Sequence, residues 1–300
     1  MADEIFATAP VLRFAPSPNG ALHLGHAYSA LMNERIARET NGRLLLRIED
    51  LDRTRCKPQF EAAMVDDLAW LGLRFPSPPR RQSKHGDDYA AALARLDQWG
   101  LVYPCFCSRS EVARAFAGRR DPDGAPLYPG TCRSLDKAKA RARLARGDKA
   151  TFRLDMRRGL DAWPEPLRWT EYGEGALPSQ RPAAPEVWGD IVLSGRDLAA
   201  SYHLAVVVDD ALQGVTDVVR GRDLLAATAV HRLLQGLLGL PAPRYRHHRL
   251  VLDQNGAKRS KSRQSWSLAE LRGTDLSPGE VRAALGFGSG ADGGLAVELS

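Results

Sequence analysis

Two histidines, His23 and His26, stand three residues apart in the segment Pro16-Ser-Pro-Asn-Gly-Ala-Leu-His-Leu-Gly-His26, between a predicted strand and a predicted helix. Imidazoles at the opening turn of a helix can hydrogen-bond phosphate oxygens, because the positive helix N-terminus favours anions. They can also stabilise the charge that develops on a pentavalent α-phosphorus. Gly25 allows the backbone to approach such a ligand closely. The alternative is that the two histidines simply fill the start of a helix.

A basic pentapeptide, Lys258-Arg-Ser-Lys-Ser262, follows a predicted strand and turn near the other end of the chain. Its lysines can hold a triphosphate by charge, and its serines can donate hydroxyl hydrogens to phosphate oxygens. Basic pentapeptides are often no more than solvated surface, so the prediction depends on the pairing with the histidine segment. Together the two segments predict one site that binds a triphosphate. The predicted ATP-binding residues are His23, Gly25, His26, Lys258, Ser260, Lys261 and Ser262.

Three of the cysteines, Cys105, Cys107 and Cys132, stand close together in the chain, and Tyr128 precedes the last of them by four residues. Three thiolates and one further donor fit a closed tetrahedral zinc site of structural type. The alternative is three reduced structural cysteines without a metal, since no histidine is near. Cys56, in a charged stretch, is interpreted as an ordinary surface or half-buried thiol.

The elements around the histidine segment predict a parallel sheet. A strand at residues 11–14, a helix at 27–40 and an apolar strand at 43–49 form a βαβ unit, which indicates the α/β class. Such sheets bind ligands beyond the carboxyl ends of their strands, which is where the histidine segment lies. Further helices are predicted at residues 59–71, 89–99, 135–146, 224–238 and 268–285, and further strands at 190–193, 204–208, 215–219 and 248–252.

The regular pattern is interrupted after residue 102, where cysteines, arginines and a Gly/Pro-rich stretch replace it. Residues 161–185 hold many prolines and glycines and are predicted to be a long connection. The predicted organisation is the first half of a Rossmann-type catalytic domain at 11–102, an insert with the zinc site at 103–190, the second half of the catalytic domain at 191–262, and a short helical segment at 263–300.

Composition sets wider limits on the function. The chain has 300 residues, of which 44% are apolar, as in an ordinary globular protein of one large or two modest domains. Lys and Arg number 42 against 36 Asp and Glu, an excess that is compatible with a nucleic-acid partner without demonstrating one. No apolar run approaches the roughly 20 residues of a membrane span, and residues 1–10 lack the features of a signal peptide. We therefore expect a cytoplasmic protein with no membrane partner.

Several segments together resemble a known family. The pairing of His23-Leu-Gly-His26 with the Lys258–Ser262 pentapeptide is similar to the two ATP motifs of class I aminoacyl-tRNA synthetases. Further segments resemble the amino-acid pocket of the glutamyl-tRNA synthetases, and their combination is specific although no single segment is. These segments are RFAPSPNG at residues 13–20, LRIEDLDRTR at 46–55, YHLAVVVDD at 202–210 and GVTDVVRGRD at 214–223.

The chemistry of glutamate agrees with these pocket segments. A dicarboxylate with one ammonium group needs two cationic donors and one anion, and arginine can bind a carboxylate bidentately. The resemblance implies that Arg13 faces the side-chain carboxylate, Glu49 the amino group and Arg220 a carboxylate. Alternatively, Glu49 could pair with a neighbouring arginine and Tyr202 could be a core aromatic residue. The predicted glutamate-binding residues are Arg13, Phe14, Ala15, Pro16, Ser17, Glu49, Tyr202 and Arg220.

The resemblance also implies cofactors and a reaction. Short members of the family carry a zinc insert of Cys/Cys/Tyr/Cys form, so Cys105, Cys107, Tyr128 and Cys132 would hold one structural Zn²⁺ per chain. Mg²⁺ would arrive with ATP. The implied reaction is in-line attack of the glutamate α-carboxylate on the α-phosphorus of ATP, with no protein nucleophile. His23, His26 and Lys261 would be the catalytic residues, through positioning and charge stabilisation.

Fewer than forty residues follow Ser262, so we expect no separate anticodon-binding domain. The resemblance is therefore closest to a truncated branch of the family, the glutamyl-Q tRNA(Asp) synthetases, which activate glutamate without tRNA and esterify it to queuosine in the anticodon of the aspartate tRNA. The implied partners are ATP, L-glutamate and the tRNA(Asp) anticodon stem-loop, and we expect a monomer. Two residues depart from the family pattern: Arg259 stands where Met or Leu is usual, and His203 follows the pocket tyrosine.

Three other interpretations stay open. The first is a short synthetase that charges the 3′ end of glutamate tRNA, and the second is a small-molecule nucleotidyltransferase that shares the HxGH motif. The third is a catalytically idle tRNA-binding paralogue. The pocket segments argue against the second, and the complete set of ATP and amino-acid positions argues against the third.

Overall fold

The structure of the protein is a computed structural model that describes residues 9–115, 118–173, 177–252, 266–288, 295 and 297–299. The predicted ATP-binding pentapeptide falls outside these ranges. Lys258, Ser260, Lys261 and Ser262 therefore keep the status of predictions from the sequence.

The strands in the described part of the chain form a large parallel sheet and two small antiparallel ones. Their bounds are β1 Val11–Phe14, β2 Arg43–Ile48, β3 Arg80–Arg81, β4 Val102–Cys105, β5 Thr151–Leu154, β6 Arg168–Glu171, β7 Ser179–Pro182, β8 Val192–Ser194, β9 Asp217–Gly221, β10 Arg244–His248, β11 Val251–Leu252 and β12 Glu298–Leu299. The large sheet has the strand order β3-β2-β1-β9-β10-β6-β7, and only its β6–β7 pair is antiparallel. The small sheets are β4-β5-β8 and β11-β12. The predicted α/β class with a parallel sheet is confirmed.

Helices cover both faces of the large sheet. Their bounds are α1 Leu24–Glu39, α2 Pro58–Trp70, α3 Gly86–Gln98, α4 Arg109–Arg114, α5 Lys137–Ala145, α6 Met156–Asp161, α7 Tyr202–Leu212, α8 Ala227–Leu237, α9 Leu268–Arg272 and α10 Pro278–Ala284. Side chains alternate between faces along β2, so that Leu44 and Leu46 pack in one core cluster and Leu45 packs in another. This two-sided burial explains why β2 reads as a continuous apolar run. Among the described residues, no helix is both long and apolar enough to cross a membrane.

The first helix begins three residues earlier than predicted, because His23 caps it. The His23 side chain accepts a hydrogen bond from the backbone of Gly25, and the backbone of His23 donates to the His26 side chain. The helix ends before the Asn41-Gly42 turn, where Asn41 has a left-handed φ of 51°. A Cβ atom on Gly42 would lie 2.6 Å from the carbonyl oxygen of Pro10, so this close approach requires glycine.

The predicted strand at residues 204–208 is wrong, because these residues lie in helix α7. Every residue from Leu204 to Asp210 is buried, so the helix shows no polar face in the sequence. A short, fully apolar run cannot be assigned to a strand or a buried helix by periodicity. The signal that decides is local: Ser201 caps the helix by accepting a hydrogen bond from the backbone of Leu204.

The predicted long connection at residues 161–185 is also wrong, because it contains β6 and β7. These strands fall within the predicted insert, but they extend the large sheet beyond β10. Residues 102–154 and 192–194 supply the small sheet β4-β5-β8, and a separate apolar cluster forms around Cys105 and Phe106. The exact domain boundaries stay a prediction.

Candidate active site and metal centre

A cavity of about 340 Å³ lies at the carboxyl ends of β1, β2, β9 and β10. The chain crosses the sheet in opposite directions on the two sides of β1, and sheets of this type bind ligands at such a switch point. All the predicted ATP-binding and glutamate-binding residues that the structure describes line this cavity: Arg13, Phe14, Ala15, Pro16, Ser17, His23, Gly25, His26, Glu49, Tyr202 and Arg220. The structure therefore brings the two predicted sites together.

The cavity also has walls that the sequence did not predict. They come from the start of α1, from β9 and β10 and from the segments that follow these strands, and they comprise Ser29, Val219, Gly221, Asp223, Leu224, His248, Arg249, Leu250 and Val251. The strand predicted at residues 248–252 could have indicated part of this wall, because the residues next to it are expected at the same edge of the sheet. The strand order β1-β9-β10 was needed to place them.

His23 and His26 are held side by side at the start of α1, with ring centroids 3.8 Å apart. Nδ1 of His23 accepts from the backbone of Gly25 at 3.1 Å, and Nδ1 of His26 accepts from the backbone of His23 at 3.2 Å. Neutral imidazole carries its hydrogen on the other nitrogen, so both rings present Nε2–H as a donor. A Cβ atom on Gly25 would lie 2.9 Å from the His23 ring, so glycine is needed here to seat that ring.

Arg13 is buried at the end of β1 and donates from Nε to Oδ1 of Asp210 at 3.0 Å. The same oxygen accepts from Nη1 of Arg47 at 2.6 Å. Burial pushes the pKa of Asp210 up, but the two guanidinium groups outweigh it and hold that pKa below its usual value. The terminal nitrogens of Arg13 have no partner among the described residues. Arg13 can therefore present two parallel donors to a carboxylate in the cavity.

Glu49 follows β2 and lines the same cavity as Arg13. Its Oε1 accepts from Nη2 of Arg47 at 3.2 Å. Burial raises the pKa of Glu49, while Arg47 and Arg13 oppose that rise. Glu49 thus forms an ion pair with a neighbouring arginine, which is one of its two interpretations from the sequence, and it also lines the cavity. Tyr202 likewise lines the cavity rather than a closed core.

Arg220, at the end of β9, differs from Arg13 because all five of its N–H groups have partners within the protein. The acceptors are Nε2 of His247 at 3.2 Å, Oη of Tyr202 at 3.2 Å, Nδ1 of His231 at 3.2 Å, the carbonyl oxygen of Leu224 at 3.1 Å and Oγ1 of Thr228 at 2.7 Å. The predicted bidentate contact between Arg220 and a carboxylate would therefore have to replace some of these hydrogen bonds.

The cysteine cluster forms a second site, remote in sequence from the cavity residues. Cys105, Cys107 and Cys132 have their sulfur atoms within 4.8 Å of one another, and the last two are 3.6 Å apart. Thiolates around one tetrahedral zinc ion lie about 3.8 Å apart, given Zn–S bonds of about 2.3 Å. Oη of Tyr128 lies 3.8 Å from the sulfur of Cys107 and accepts from the backbone of Cys132 at 2.8 Å. The four predicted ligands are thus brought together, and the cysteine trio can hold a metal ion.

The parallel sheet, the switch-point cavity and the histidine pair at the start of α1 define a catalytic domain of the class I aminoacyl-tRNA synthetases. Residues 11–287 match the family described as tRNA synthetases class I (E and Q), catalytic domain. The chain belongs to this family and is a ligase of the aminoacyl-tRNA synthetase type. The nucleotidyltransferase interpretation is thereby excluded.

Two groups of curated relatives are similar to the chain. The glutamyl-Q tRNA(Asp) synthetase of Rhodobacter capsulatus is 44% identical over 92% of this chain and 100% of its own length. The protein of the same name from Symbiobacterium thermophilum is 41% identical over 93% of this chain and 86% of its length. Glutamate–tRNA ligase 2 of Nitrosococcus oceani is 38% identical, and the chain spans only 56% of it.

A solved structure supports the fold. The glutamate-tRNA synthetase of Elizabethkingia anophelis superimposes with a TM-score of 0.68 at 24% sequence identity. The match covers 90% of this chain and 54% of that protein, so the chain spans about half the length of this solved synthetase. At this identity the similarity demonstrates the fold alone.

Proposed function

We propose that the protein uses ATP to activate L-glutamate as enzyme-bound glutamyl-adenylate, without tRNA, and then transfers the glutamyl group to queuosine in the anticodon of tRNA(Asp). The observation that carries the first step is that the terminal nitrogens of Arg13, which have no hydrogen-bond partner among the described residues, share one cavity with Glu49. A carboxylate bound by Arg13 leaves the ammonium group of the same amino acid for Glu49.

In the proposed activation, an α-carboxylate oxygen attacks the α-phosphorus of ATP and pyrophosphate leaves. The Nε2–H groups of His23 and His26 would donate to the phosphate oxygens as negative charge accumulates there. Lys261 is proposed from the sequence to bind the same phosphates. Mg²⁺ bound to ATP would neutralise charge on the triphosphate. Catalysis then depends on positioning and electrostatic stabilisation rather than on a protein nucleophile.

In the proposed transfer, a hydroxyl group of the acceptor attacks the carbonyl carbon of the adenylate and AMP leaves. The names of the relatives that match along most of their length support queuosine of tRNA(Asp) as the acceptor. Helix α5 supplies a basic surface for RNA, because Lys137, Lys139 and Arg141 are exposed on it.

The proposed metal is one structural Zn²⁺ held by the three cysteines and Tyr128. Soft thiolates in a tetrahedral arrangement favour zinc over harder divalent ions. The ion would link the end of β4 to the segment before α5 and so hold this part of the insert in a fixed shape.

The test of the first step is glutamate-dependent exchange of pyrophosphate into ATP in the absence of tRNA. We expect exchange in the wild type and a loss of roughly 10²-fold in His26→Ala, as for one oxyanion-stabilising donor. His85→Ala is the matched control, because His85 is a partly exposed histidine away from the cavity. Wild-type protein that needs tRNA for exchange would contradict the tRNA-independent reaction.

A second candidate function is charging of the 3′ end of a tRNA, which the identity to glutamate–tRNA ligase 2 favours. The two functions differ in the nucleotide that receives the label. Radiolabelled glutamate would be offered with queuosine-containing tRNA(Asp), queuosine-free tRNA(Asp) and tRNA(Glu), followed by nuclease mapping. Label on queuosine supports our proposal, whereas label on the terminal adenosine of tRNA(Glu) supports the second candidate.

A further inference from the structure

Arg220 is surrounded by polar side chains that do not line the cavity. We call this group the histidine cluster, and it consists of Glu171, His203, Thr228, His231 and His247. His231 and Thr228 are completely or almost completely buried, and the His247 side chain is 3% exposed. A buried polar cluster of this size needs a reason other than packing.

Hydrogen bonds fix where the protons of the cluster lie. Arginine is always a donor, so the atoms that face Arg220, Nδ1 of His231 and Nε2 of His247, must be acceptors. The hydrogen of His231 is then on Nε2 and points to Nδ1 of His203 at 3.2 Å. The hydrogen of His247 is on Nδ1 and points to Oε2 of Glu171 at 2.9 Å. Both rings are therefore neutral.

Glu171 fixes the orientation of the His247 ring by binding the nitrogen that does not face Arg220. Its carboxylate accepts from the indole of Trp169 at 2.9 Å and from the backbone of His247 at 2.9 Å. Burial alone would raise the pKa of Glu171, but the contacts with His247 outweigh it and lower that pKa. For His231, burial and then the charge of Arg220 drive the pKa well below its usual value. The charges thus agree with the proton positions that the hydrogen bonds require.

One atom of Arg220 connects the histidine cluster to the cavity. Nη1 of Arg220 also donates to Oη of Tyr202, and both residues line the cavity. Because the phenol oxygen accepts this bond, the hydrogen of the phenol must point elsewhere. With all five of its N–H groups engaged, the guanidinium cannot rotate without breaking several hydrogen bonds at once.

The geometry points to His231 and His247 as positioning residues, which act as neutral acceptors that fix Arg220 and, through it, the hydroxyl of Tyr202 in the amino-acid site. This inference deepens the proposed function and rests on it. It assigns substrate affinity to two side chains that never touch the substrate. The fixed guanidinium presents a positive charge, and the fixed phenol presents a donor to an incoming carboxylate.

The first test compares substitutions that keep or remove each acceptor. Asparagine places an oxygen close to the position of Nδ1, so His231→Asn keeps the bond to Arg220 and His231→Leu removes it. Glutamine does the same for Nε2, so His247→Gln is compared with His247→Leu. His85→Leu is the control, since His85 lies outside the cluster.

In the exchange assay we expect the two leucine variants to raise the KM for glutamate roughly tenfold to a hundredfold, as for loss of a hydrogen bond to a charged group. The KM for ATP should not change, and the amide variants should stay close to the wild type. Folded leucine variants with the wild-type KM for glutamate would overturn the inference. Amide variants as impaired as the leucine variants would also overturn it.

The second test needs no substrate and no variant that must fold. In ¹⁵N NMR spectra of the wild type at neutral pH, Nδ1 of His231 and Nε2 of His247 should have the shifts of unprotonated nitrogens. The Nε–H of Arg220 should exchange slowly with water. Protonated nitrogens or a rapidly exchanging Arg220 would overturn the inference. The expected shifts and slow hydrogen exchange, observed in a protein that shows no glutamate-dependent pyrophosphate exchange, would instead contradict the proposed function. The positioning of Arg220 would then still stand.

Discussion

The two arginines of the cavity differ in how many of their donors are already used. In the part of the chain that the structure describes, Arg13 binds the protein only through Nε, which donates to Asp210, whereas every N–H of Arg220 has a partner. The terminal nitrogens of Arg13 can therefore form the fork-shaped contact that distinguishes a carboxylate from an amide. Specificity for glutamate over glutamine is therefore expected to depend mainly on Arg13.

This asymmetry predicts the behaviour of Arg13→Lys. The substitution keeps a positive charge beside Asp210 but loses the planar fork, and lysine is not an equivalent carboxylate ligand. We expect the KM for glutamate to rise at least roughly tenfold and the preference over glutamine to fall, at an unchanged KM for ATP. Exchange assays with both amino acids measure this, with Arg38→Lys on the exposed face of α1 as the control. Equal losses with ATP and glutamate would show damage to the fold instead.

At the residue scale, the sequence was informative where a residue type is unusual for its position. His23, Gly25 and His26 stood out by their spacing, and the structure brings them into the cavity. Asp210 and His231 did not stand out, because each lies in a helix next to apolar residues. Their roles depend on tertiary contacts, of Asp210 with β1 and β2 and of His231 with β9, which no local pattern encodes.

At the scale of elements, the predictions succeeded for amphipathic helices and failed for segments buried on all sides. Helix α3 has a polar face, and its predicted position is confirmed within a few residues. Helix α7 has none, so its apolar run was assigned to a strand. Strands β6 and β7 are absent from the prediction because most of their residues are polar, and β7, the edge strand of the sheet, is exposed along its whole length.

The packing of α2 on α9 contains a buried carboxylate that predicts a pH-dependent stability. Neither oxygen of Asp67 has a hydrogen-bond partner among the described residues, and the nearest cation, on Arg272, is 3.6 Å away. Burial raises the pKa of Asp67 to about 6. A carboxyl group with a raised folded-state pKa stabilises the fold most below its unfolded pKa of about 4, and the stabilisation is lost as the pH rises through 6.

Asp67→Asn should therefore raise the free energy of unfolding at pH 8 by about 1–3 kcal/mol, since the amide resembles the neutral acid. Near pH 4 the variant and the wild type should be equally stable. Urea unfolding at the two pH values measures the difference, and Asp66→Asn, on the exposed side of α2, is the control. An Asp67→Asn protein that is less stable than the wild type at pH 8 would contradict the interpretation.

The insert elements β4 and α5 predict a dependence on metal. We expect purified wild-type protein to contain about one zinc per chain and Cys105→Ser to contain almost none, with local loss of structure around Cys132. Elemental analysis and amide hydrogen exchange measure the two effects. Cys56→Ser should retain its zinc, because Cys56 lies outside the cluster. Wild-type protein without zinc, when prepared without chelators, would contradict the assignment.

At the scale of the whole molecule, the basic helix α5 packs beside the small sheet β4-β5-β8, whereas the cavity lies at one edge of the large sheet. The net charge of +6 is not spread evenly, because α5 contributes Lys137, Lys139 and Arg141 within little more than one turn of helix. Ion pairs neutralise other cations nearby, such as Lys149 with Asp197 and Arg143 with Asp148. Lys137, Lys139 and Arg141 have no ion pair within the described part of the chain, and they therefore form a candidate contact for the RNA backbone.

This division predicts that adenylate formation and transfer respond differently to the loss of basic residues. Replacing Lys137, Lys139 and Arg141 by alanine should weaken tRNA binding and leave glutamate-dependent pyrophosphate exchange unchanged, because none of them lines the cavity. Each phosphate contact that is lost lowers the salt dependence of binding, by roughly one unit in the slope of log K against log salt concentration. Binding measured between low and moderate salt should therefore show a shallower slope for the triple variant than for the wild type. Lys149→Ala should keep the wild-type slope, since the charge of Lys149 is already paired with Asp197. An unchanged slope in the triple variant would move the RNA contact away from α5.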